Sequence, residues 1–154
     1  MTILSLSGQT ACLNYAGIAI GSTTTGVAIA ASNGAGVDYA IDGKAFHKAD
    51  AATISISATD LQADLTTCCY LIELDSSGNL TTLKGDEVLT ALLGELGNTA
   101  QWPSPTADLC PIGGFKVATS GLTFTGGTTA FDASGITDTF FSFALGIPNT
   151  PEIT

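Results

Sequence analysis

The chain has 154 residues, a length that favours one domain, and its fourteen carboxylates against four lysines and no arginine give a net charge of −10. Nucleic-acid backbones bind clustered Lys and Arg, and anionic membrane surfaces bind polybasic segments, so this charge argues against both classes of partner. Charged residues make up only 12% of the chain, and Thr, Ser and Gly supply much of the remaining polarity, a composition typical of β-structure with many turns.

Residues 1–36 precede the first charged side chain, Asp38, and are rich in Gly, Thr, Ser and Ala. They contain no basic stretch followed by a long apolar run, which argues against a secretory signal peptide. No window of the chain approaches roughly 18 uninterrupted apolar residues, so no segment is predicted to span a bilayer. We therefore expect a protein that is made and assembled in the cytoplasm.

The same N-terminal segment contains two short apolar runs, at 15–21 and 26–32. We predict that residues 1–36 form an N-terminal arm or strand-exchange segment, and that residues 37–154 form a β-rich globular domain. The alternative is that the two runs are ordinary strands within the domain. The candidate interface residues are Ile18, Ile20, Val27, Ile29 and Trp102.

Alternating apolar residues flank an Asp-Gly pair at Asp42-Gly43, which is the strongest short-range signal for a β-hairpin. A second hairpin is predicted where the turn sequence 75–79 separates an alternating run at 65–74 from its return at 80–84. Further strands are predicted at 52–58, at 112–119, at 122–131 with a break at Gly126-Gly127, and at 138–145. Several short strands with frequent turn signals favour an all-β antiparallel sandwich or barrel.

Two adjacent cysteines, Cys68 and Cys69, lie within the predicted strand at 65–74, where neighbouring side chains point to opposite faces. We predict that Cys68 faces the core and that Cys69 faces a mixed surface covered by a loop or by a neighbouring subunit. In the cytoplasm all four cysteines are expected as buried free thiols. A disulfide from Cys110 to Cys12 or Cys68 stays open.

In the segment that follows residue 84, the spacing of apolar residues changes from every second residue to about every 3.6 residues. Val88, Leu89, Leu92, Leu93 and Leu96 make an apolar stripe, with Asp86 as a cap and a Gly-Asn pair as a stop signal. The pattern predicts one short helix over about residues 86–96. The two prolines that follow predict a loop at 101–106.

The chain offers little catalytic chemistry. His47 is the only histidine, no G-x-S-x-G motif accompanies it, and no Cys or His spacing matches a zinc site. We interpret the local carboxylate pairs as solvated loop charges: Asp60 and Asp64, Glu73 and Asp75, Asp86 and Glu87. The expectation is a protein that is not an enzyme and that holds no metal or cofactor.

Trp102 is either an exposed anchor at an interface or a side chain packed under its own loop.

Four stretches in order, YAIDGKAFHKAD (39–50), CCYLIELDSSGNLTTLKGDEV (68–88), CPIGGFKV (110–117) and FTGGTTAFDASGIT (124–137), resemble small virion structural proteins of tailed bacteriophages. The resemblance is to capsid decoration (cement) or head-fibre proteins. It implies a β-rich, often trimeric protein that binds the major capsid protein on the outside of the shell and stabilises neighbouring capsomers. The expected location is the exterior of the virion.

Two other functions stay open. One is a receptor-binding or glycan-binding fibre module, in which Trp102, Tyr39 and Tyr70 would stack on the ligand. The other is a self-assembling filament subunit whose glycine- and threonine-rich arms pair between copies.

Overall fold

The structure is a computed structural model that describes residues 8–32 and 34–147. Eleven strands lie within those residues. They are β1 (Ala11–Cys12), β2 (Ile18–Ile20), β3 (Gly26–Ile29), β4 (Val37–Ile41), β5 (Lys44–Lys48), β6 (Ala51–Ser55), β7 (Thr66–Leu74), β8 (Leu80–Lys84), β9 (Val88–Leu89), β10 (Cys110–Thr119) and β11 (Ile136–Ser142). The predicted all-β class with antiparallel strands is confirmed. No helix among the described residues has the length and apolar character needed to cross a membrane.

The strands form three antiparallel sheets around one core. The central sheet has the order β11-β10-β7-β8, with β9 paired to the first residues of β7. Two smaller sheets, β1-β4-β5 and β2-β3-β6, supply side chains to the same hydrophobic core as one face of the central sheet. This layered packing of short strands is that of a β-sandwich.

Both predicted hairpins are confirmed. Asp42 and Gly43 have φ angles of 50° and 76°, the positive values that a type I′ turn requires at both central positions. At the second hairpin the Asp75 carboxylate accepts the backbone N–H groups of Ser77 (2.7 Å) and Asn79 (2.9 Å). The carboxylate therefore organises the turn that returns β7 into β8.

Strand β7 is buried along its whole length, and this settles the position of the adjacent cysteines. Cys68 lies in the core shared by the three sheets, as predicted. Cys69 is on the opposite face and is also fully buried, at 0% exposure. On that face the backbone N–H of Thr106 donates to Glu73 Oε1 at 2.8 Å, so the chain between β9 and β10 covers it. Glu73 is consequently buried, and its interpretation as a solvated loop charge is wrong.

The helix predicted at about 86–96 is wrong. Val88 and Leu89 pair with β7 as strand β9, and only two three-residue 3₁₀ turns follow, at Thr90–Leu92 and Glu95–Gly97. Gly94 has a φ angle of 80°, in the left-handed region, which interrupts any continuous right-handed helix. The leucine periodicity is real, but the tertiary pairing of Val88 and Leu89 decides the backbone.

The strand predicted at 122–131 is also wrong, except for its break at Gly126-Gly127, where the chain turns. Phe124 forms a single antiparallel bridge with Gln62, and the chain then turns through Gly127, whose φ angle is 73°. Phe124 and Phe131 still reach the core, although no sheet contains them. The final predicted strand at 138–145 is confirmed with shifted bounds, as β11.

Within the predicted arm at 1–36, the described residues pair with strands of the same chain. β1 pairs with β4, and β2 and β3 form a sheet with β6. Residues 1–7 and Asn33 of the arm, and residues 148–154 of the predicted domain, lie outside the described residues. Exchange of the N-terminal strands between copies stays a prediction.

The edge strand β11 carries a charge on its inner face. Asp138 lies opposite Val117, whose side chain is fully buried in the core. Directly opposed residues of an antiparallel pair share a face, so the Asp138 carboxylate points toward the core side. Burial, with a smaller contribution from the charge of Asp132, raises the pKa of Asp138. Inward-pointing charges of this kind discourage edge strands from pairing with other chains.

We expect Asp138→Asn to stabilise the protein at neutral pH. A pKa raised in the folded state means that the ionised carboxylate opposes folding, so the penalty is absent below the unfolded pKa, about 3.9, and develops as the pH rises through the folded pKa. Urea denaturation should therefore give a higher midpoint for the variant at pH 7 and equal midpoints near pH 3. An equal advantage at both pH values would contradict the assignment of the effect to ionisation.

Candidate interaction surfaces

The predicted aliphatic interface residues divide between the interior and the surface. Ile18, Val27 and Ile29 lie in the core of this chain, with exposures of 6%, 0% and 1%. Ile20, at 38% exposure, lies at the end of the edge strand β2. A role for the three buried residues between subunits would require strand exchange, which stays a prediction.

Trp102 packs against strands β10 and β11 of the central sheet in this chain. Its ring stands edge-on to Phe141 and Phe143, with centroid distances of 5.3 and 5.2 Å, and the side chain is only partly exposed. The indole ring lies over Gly114, where an added Cβ would come within 2.6 Å of it. Its buried Nε1 has no hydrogen-bond partner among the described residues.

The tyrosines proposed for ligand stacking are not available for it. Tyr39 and Tyr70 have exposures of 1% and 0%, and both rings lie in the core. The Tyr39 hydroxyl donates to the backbone oxygen of Asp75 at 2.7 Å, and the Tyr70 hydroxyl donates to Gln62 Oε1 at 2.9 Å. The prediction that these two rings stack on a ligand is therefore wrong, because the sandwich buries them.

Exposed leucines gather at one end of the central sheet, which we call the leucine end. It consists of Leu61, Leu65, Leu89 and Leu92, with exposures of 59%, 59%, 54% and 40%. The two segments that carry them meet where β7 begins: Leu89 is paired with Thr66, and the N–H of Thr90 donates to the carbonyl of Leu65 at 2.9 Å. This cluster contains two leucines of the apolar stripe that the sequence placed on a helix, Leu89 and Leu92.

Leu65 has an unusual backbone. Its φ angle of 60° lies in the left-handed region, which is strained for a residue with a branched side chain. Asp64 stabilises this conformation, because its Oδ1 accepts the N–H groups of Leu65 and Gly121, both at 2.7 Å. The chain thus holds a leucine side chain outward at a position that glycine or asparagine would occupy with less strain.

A second apolar surface, which we call the Tyr15 groove, lies at the opposite end of the central sheet. It is a cavity of about 410 Å³. Its lining is formed by Tyr15 and residues 141–147, without a charged side chain. Tyr15 and Leu145 are exposed by 63% and 78%. Leu145 also has a left-handed φ angle, 64°, and its N–H donates to the carbonyl of Cys12 at 2.8 Å.

The pairing register separates these two surfaces. Leu65 directly precedes β7, whereas Leu145 follows the end of β11. The last residue of β11, Ser142, is opposite Gly113, and Gly113 pairs with Ile72 near the far end of β7. The leucine end and the Tyr15 groove are therefore separated by the length of the central strands.

Polar chemistry on the described surface is sparse. His47 Nδ1 lies 2.7 Å from Asp38 Oδ1 across the β4–β5 pair, and both side chains are about half exposed. Within residues 8–32 and 34–147 no group of three or more His, Cys, Asp or Glu side chains is arranged to hold a metal ion.

The four cysteines are free and buried. Burial raises the pKa of Cys12 and Cys68 to about 11 and that of Cys69 and Cys110 to about 12. Because the thiolate is the nucleophile, these thiols are poorly reactive in the folded protein.

We expect an aromatic disulfide reagent at pH 8 to label the native thiols at least about 100-fold more slowly than the unfolded thiols. All four thiols should react in concentrated guanidinium chloride. Immediate labelling of one thiol in the native protein would contradict its burial, and single Cys→Ser variants would identify it.

Comparisons of this chain with protein-family models, with curated proteins and with solved structures gave no match.

Proposed function

We propose that this chain is a virion structural protein, a capsid decoration (cement) protein that binds the outer surface of a tailed-bacteriophage shell and stabilises neighbouring capsomers. The sequence resemblance supports the virion assignment. The structural observation that supports a binding role is a pair of exposed leucines with left-handed backbones at opposite ends of the central sheet, Leu65 and Leu145.

The physical argument concerns why leucine occupies these positions. A left-handed backbone costs a non-glycine residue about 1 kcal/mol or more. Hydrogen bonds within the chain hold both backbones in this conformation. They do not explain why leucine, which carries this cost, occupies positions that glycine would occupy without it, because an exposed leucine side chain gains nothing from the chain's own core. Burial of the leucine against another protein would contribute about 1.5 to 3 kcal/mol and offset it.

The proposed mechanism is stabilisation by linkage. A protein that binds the assembled shell, and not the separate shell subunits, lowers the free energy of the assembled state. Contacts at two opposite ends of one sandwich allow the chain to touch two neighbouring subunits. A closed trimer would place three copies of each contact around a local three-fold axis of the shell.

The test is whether the chain purifies with virus-sized particles. We expect density-gradient fractions to contain it at a fixed ratio to the main shell subunit. Particles produced without the chain should release their DNA at a lower temperature, and adding the purified chain back should restore the higher temperature. Absence of the chain from the particles, or a ratio that varies between preparations, would overturn the proposal.

A receptor-binding or glycan-binding module is the second candidate, because the Tyr15 groove is an open surface beside an exposed aromatic ring. Sugars stack on such rings in many proteins. Binding of the purified chain on a glycan array, lost in Tyr15→Ala and retained in Leu65→Gly, would favour this function over decoration of a shell.

A self-assembling filament is the third candidate. If the leucine end of one copy bound the Tyr15 groove of the next, the contact would be head-to-tail and would generate an open fibre unless the ring closed. Electron microscopy of the purified chain distinguishes fibres from discrete trimers.

A further inference from the structure

Carboxylates surround the leucine end. Segments 60–65 and 84–97 together carry five carboxylates and one lysine. The lysine, Lys84, forms an ion pair with Glu87 at 2.6 Å. The other four carboxylates are exposed and have no ion pair among the described residues: Asp60, Asp64, Asp86 and Glu95. The two segments that form the leucine end therefore carry an excess of negative charge beside their exposed leucines.

The opposite end of the sheet provides a contrast. The Tyr15 groove also presents a strained, exposed leucine, but no charged residue lines it. The carboxylates at the leucine end are consequently a property of that surface and not simply of the acidic chain as a whole. Surfaces that combine exposed apolar residues with neighbouring charged residues are typical of protein interfaces.

We propose that the leucine end is the docking surface for a different protein whose contact patch is an apolar depression bordered by Lys and Arg side chains. Charge complementarity favours a basic rim on the partner, because like charges facing each other across an interface cost several kcal/mol. The inference rests on the proposed function for the identity of that partner, which would be the main shell subunit.

A second copy of this chain does not have the required chemistry at its own leucine end, because it would bring the same carboxylates into contact. Of the remaining lysines, Lys44 and Lys48 lie on β5 in a different sheet, and Lys116 lies on the inner strand β10. Lys116 lines a small cavity with Thr67 and Leu93 and so borders the leucine end. One cation does not offset the four carboxylates that lack an ion pair in the described part of the chain, so self-association there would still be repulsive overall.

The surface can be probed with a synthetic amphipathic peptide of alternating Leu and Lys, titrated into the isotopically labelled full chain and followed by NMR. We expect saturable shifts centred on residues 61–65 and 88–93, and weaker binding as the salt concentration rises. A peptide of alternating Leu and Glu should not bind. Shifts spread over the whole acidic surface, shifts centred on the Tyr15 groove, or no saturable binding would overturn the proposal.

Two variants separate binding from folding. Leu65→Gly combined with Leu89→Ser should weaken peptide binding at least tenfold. Leu65→Gly alone should not lower the melting temperature, because glycine adopts the left-handed backbone without strain. The matched control is Leu145→Gly, which removes the other strained, exposed leucine and should change peptide affinity less than twofold. The proposal would be overturned if Leu145→Gly weakened peptide binding as much as Leu65→Gly with Leu89→Ser does. Self-association that depends on concentration and is abolished by Leu65→Gly would also overturn it.

A second experiment measures binding to shell particles depleted of the chain. It distinguishes failure of the leucine end as the docking surface from failure of the decoration function. Particle binding that survives Leu65→Gly with Leu89→Ser would overturn the leucine end as the docking surface while leaving the decoration function intact. Specific peptide binding at the leucine end without any particle binding would overturn the decoration function and support a basic partner of another kind.

Discussion

Gly114→Ala is expected to destabilise the protein by about 2 kcal/mol, because β10 leaves no room for a Cβ atom at this position. An added Cβ would lie 2.6 Å from the Trp102 ring and would also collide with the backbone oxygen of Tyr70. Gly113, on the opposite face of the same strand, is equally confined, because its Cβ would lie 2.7 Å from Ile18 Cγ1 and against the backbone oxygen of Phe141. The two adjacent glycines thus make room for one large side chain on each face.

The control for this prediction removes one of the two side chains. In a Trp102→Ala background the cost of Gly114→Ala should fall, because only the collision with the Tyr70 backbone remains, while the cost of Gly113→Ala should be unchanged. Guanidinium denaturation followed by far-UV circular dichroism measures all the variants. An unchanged cost of Gly114→Ala in that background would show that the ring contact is not the cause.

Gln62→Leu is expected to destabilise the protein by about 3 kcal/mol, because it removes three buried hydrogen bonds and deprives the buried Tyr70 hydroxyl of the amide oxygen to which it donates. The Gln62 side chain is fully buried, and both its amide N–H groups and its oxygen have hydrogen-bond partners. Its Nε2 donates to the backbone oxygens of Thr66 and Val117, both at 3.1 Å, and its Oε1 accepts the hydroxyl of Tyr70 at 2.9 Å. The amide therefore links the loop before β7 to the centre of the sheet.

The double variant distinguishes a network from independent contacts. Tyr70→Phe alone should cost about 1 kcal/mol, and the combination with Gln62→Leu should cost less than the sum of the two, since neither partner then leaves the other unsatisfied. Urea denaturation gives the three free energies of unfolding. Additivity within about 0.5 kcal/mol would contradict the coupling.

The local features of the fold were predictable because short-range chemistry determines them. The hairpin turn at Asp42-Gly43 depends only on the positive φ angles of those two residues. The turn that follows β7 depends on hydrogen bonds that the Asp75 carboxylate accepts from residues of the same turn. Alternation along β7 correctly assigned Cys68 to the core. The loop over Cys69 was one of two predicted covers, and only the structure distinguished the loop from a neighbouring subunit.

The errors occur where distant residues decide the backbone. The leucine stripe at 86–96 has the period of a helix, yet the pairing of Val88 and Leu89 with Thr66 and Thr67 draws the segment into the sheet. Phe124 reaches the core through one bridge to Gln62, not through a strand. Neither partner is adjacent in sequence, so no local pattern contains the information.

The leucine end shows the same limit for the candidate site. A sequence signal was present in the repeated acidic-leucine pairs at 60–61 and 64–65, but alternating charge and leucine also suits a loop over a core. The left-handed φ angle of Leu65 and its exposure follow from the hydrogen bonds to Asp64 and Thr90 and are visible only in the structure.

By itself the amino-acid sequence determined the β class, the two hairpins, the buried thiols and an acidic surface, because composition, turn chemistry and alternation act over a few residues. Only the tertiary structure decided that Gly113 and Gly114 accommodate Ile18 and Trp102, and that two strained leucines face solvent at opposite ends. The physical reason is that burial and exposure depend on which distant strands pack together, and that packing is a property of the whole chain.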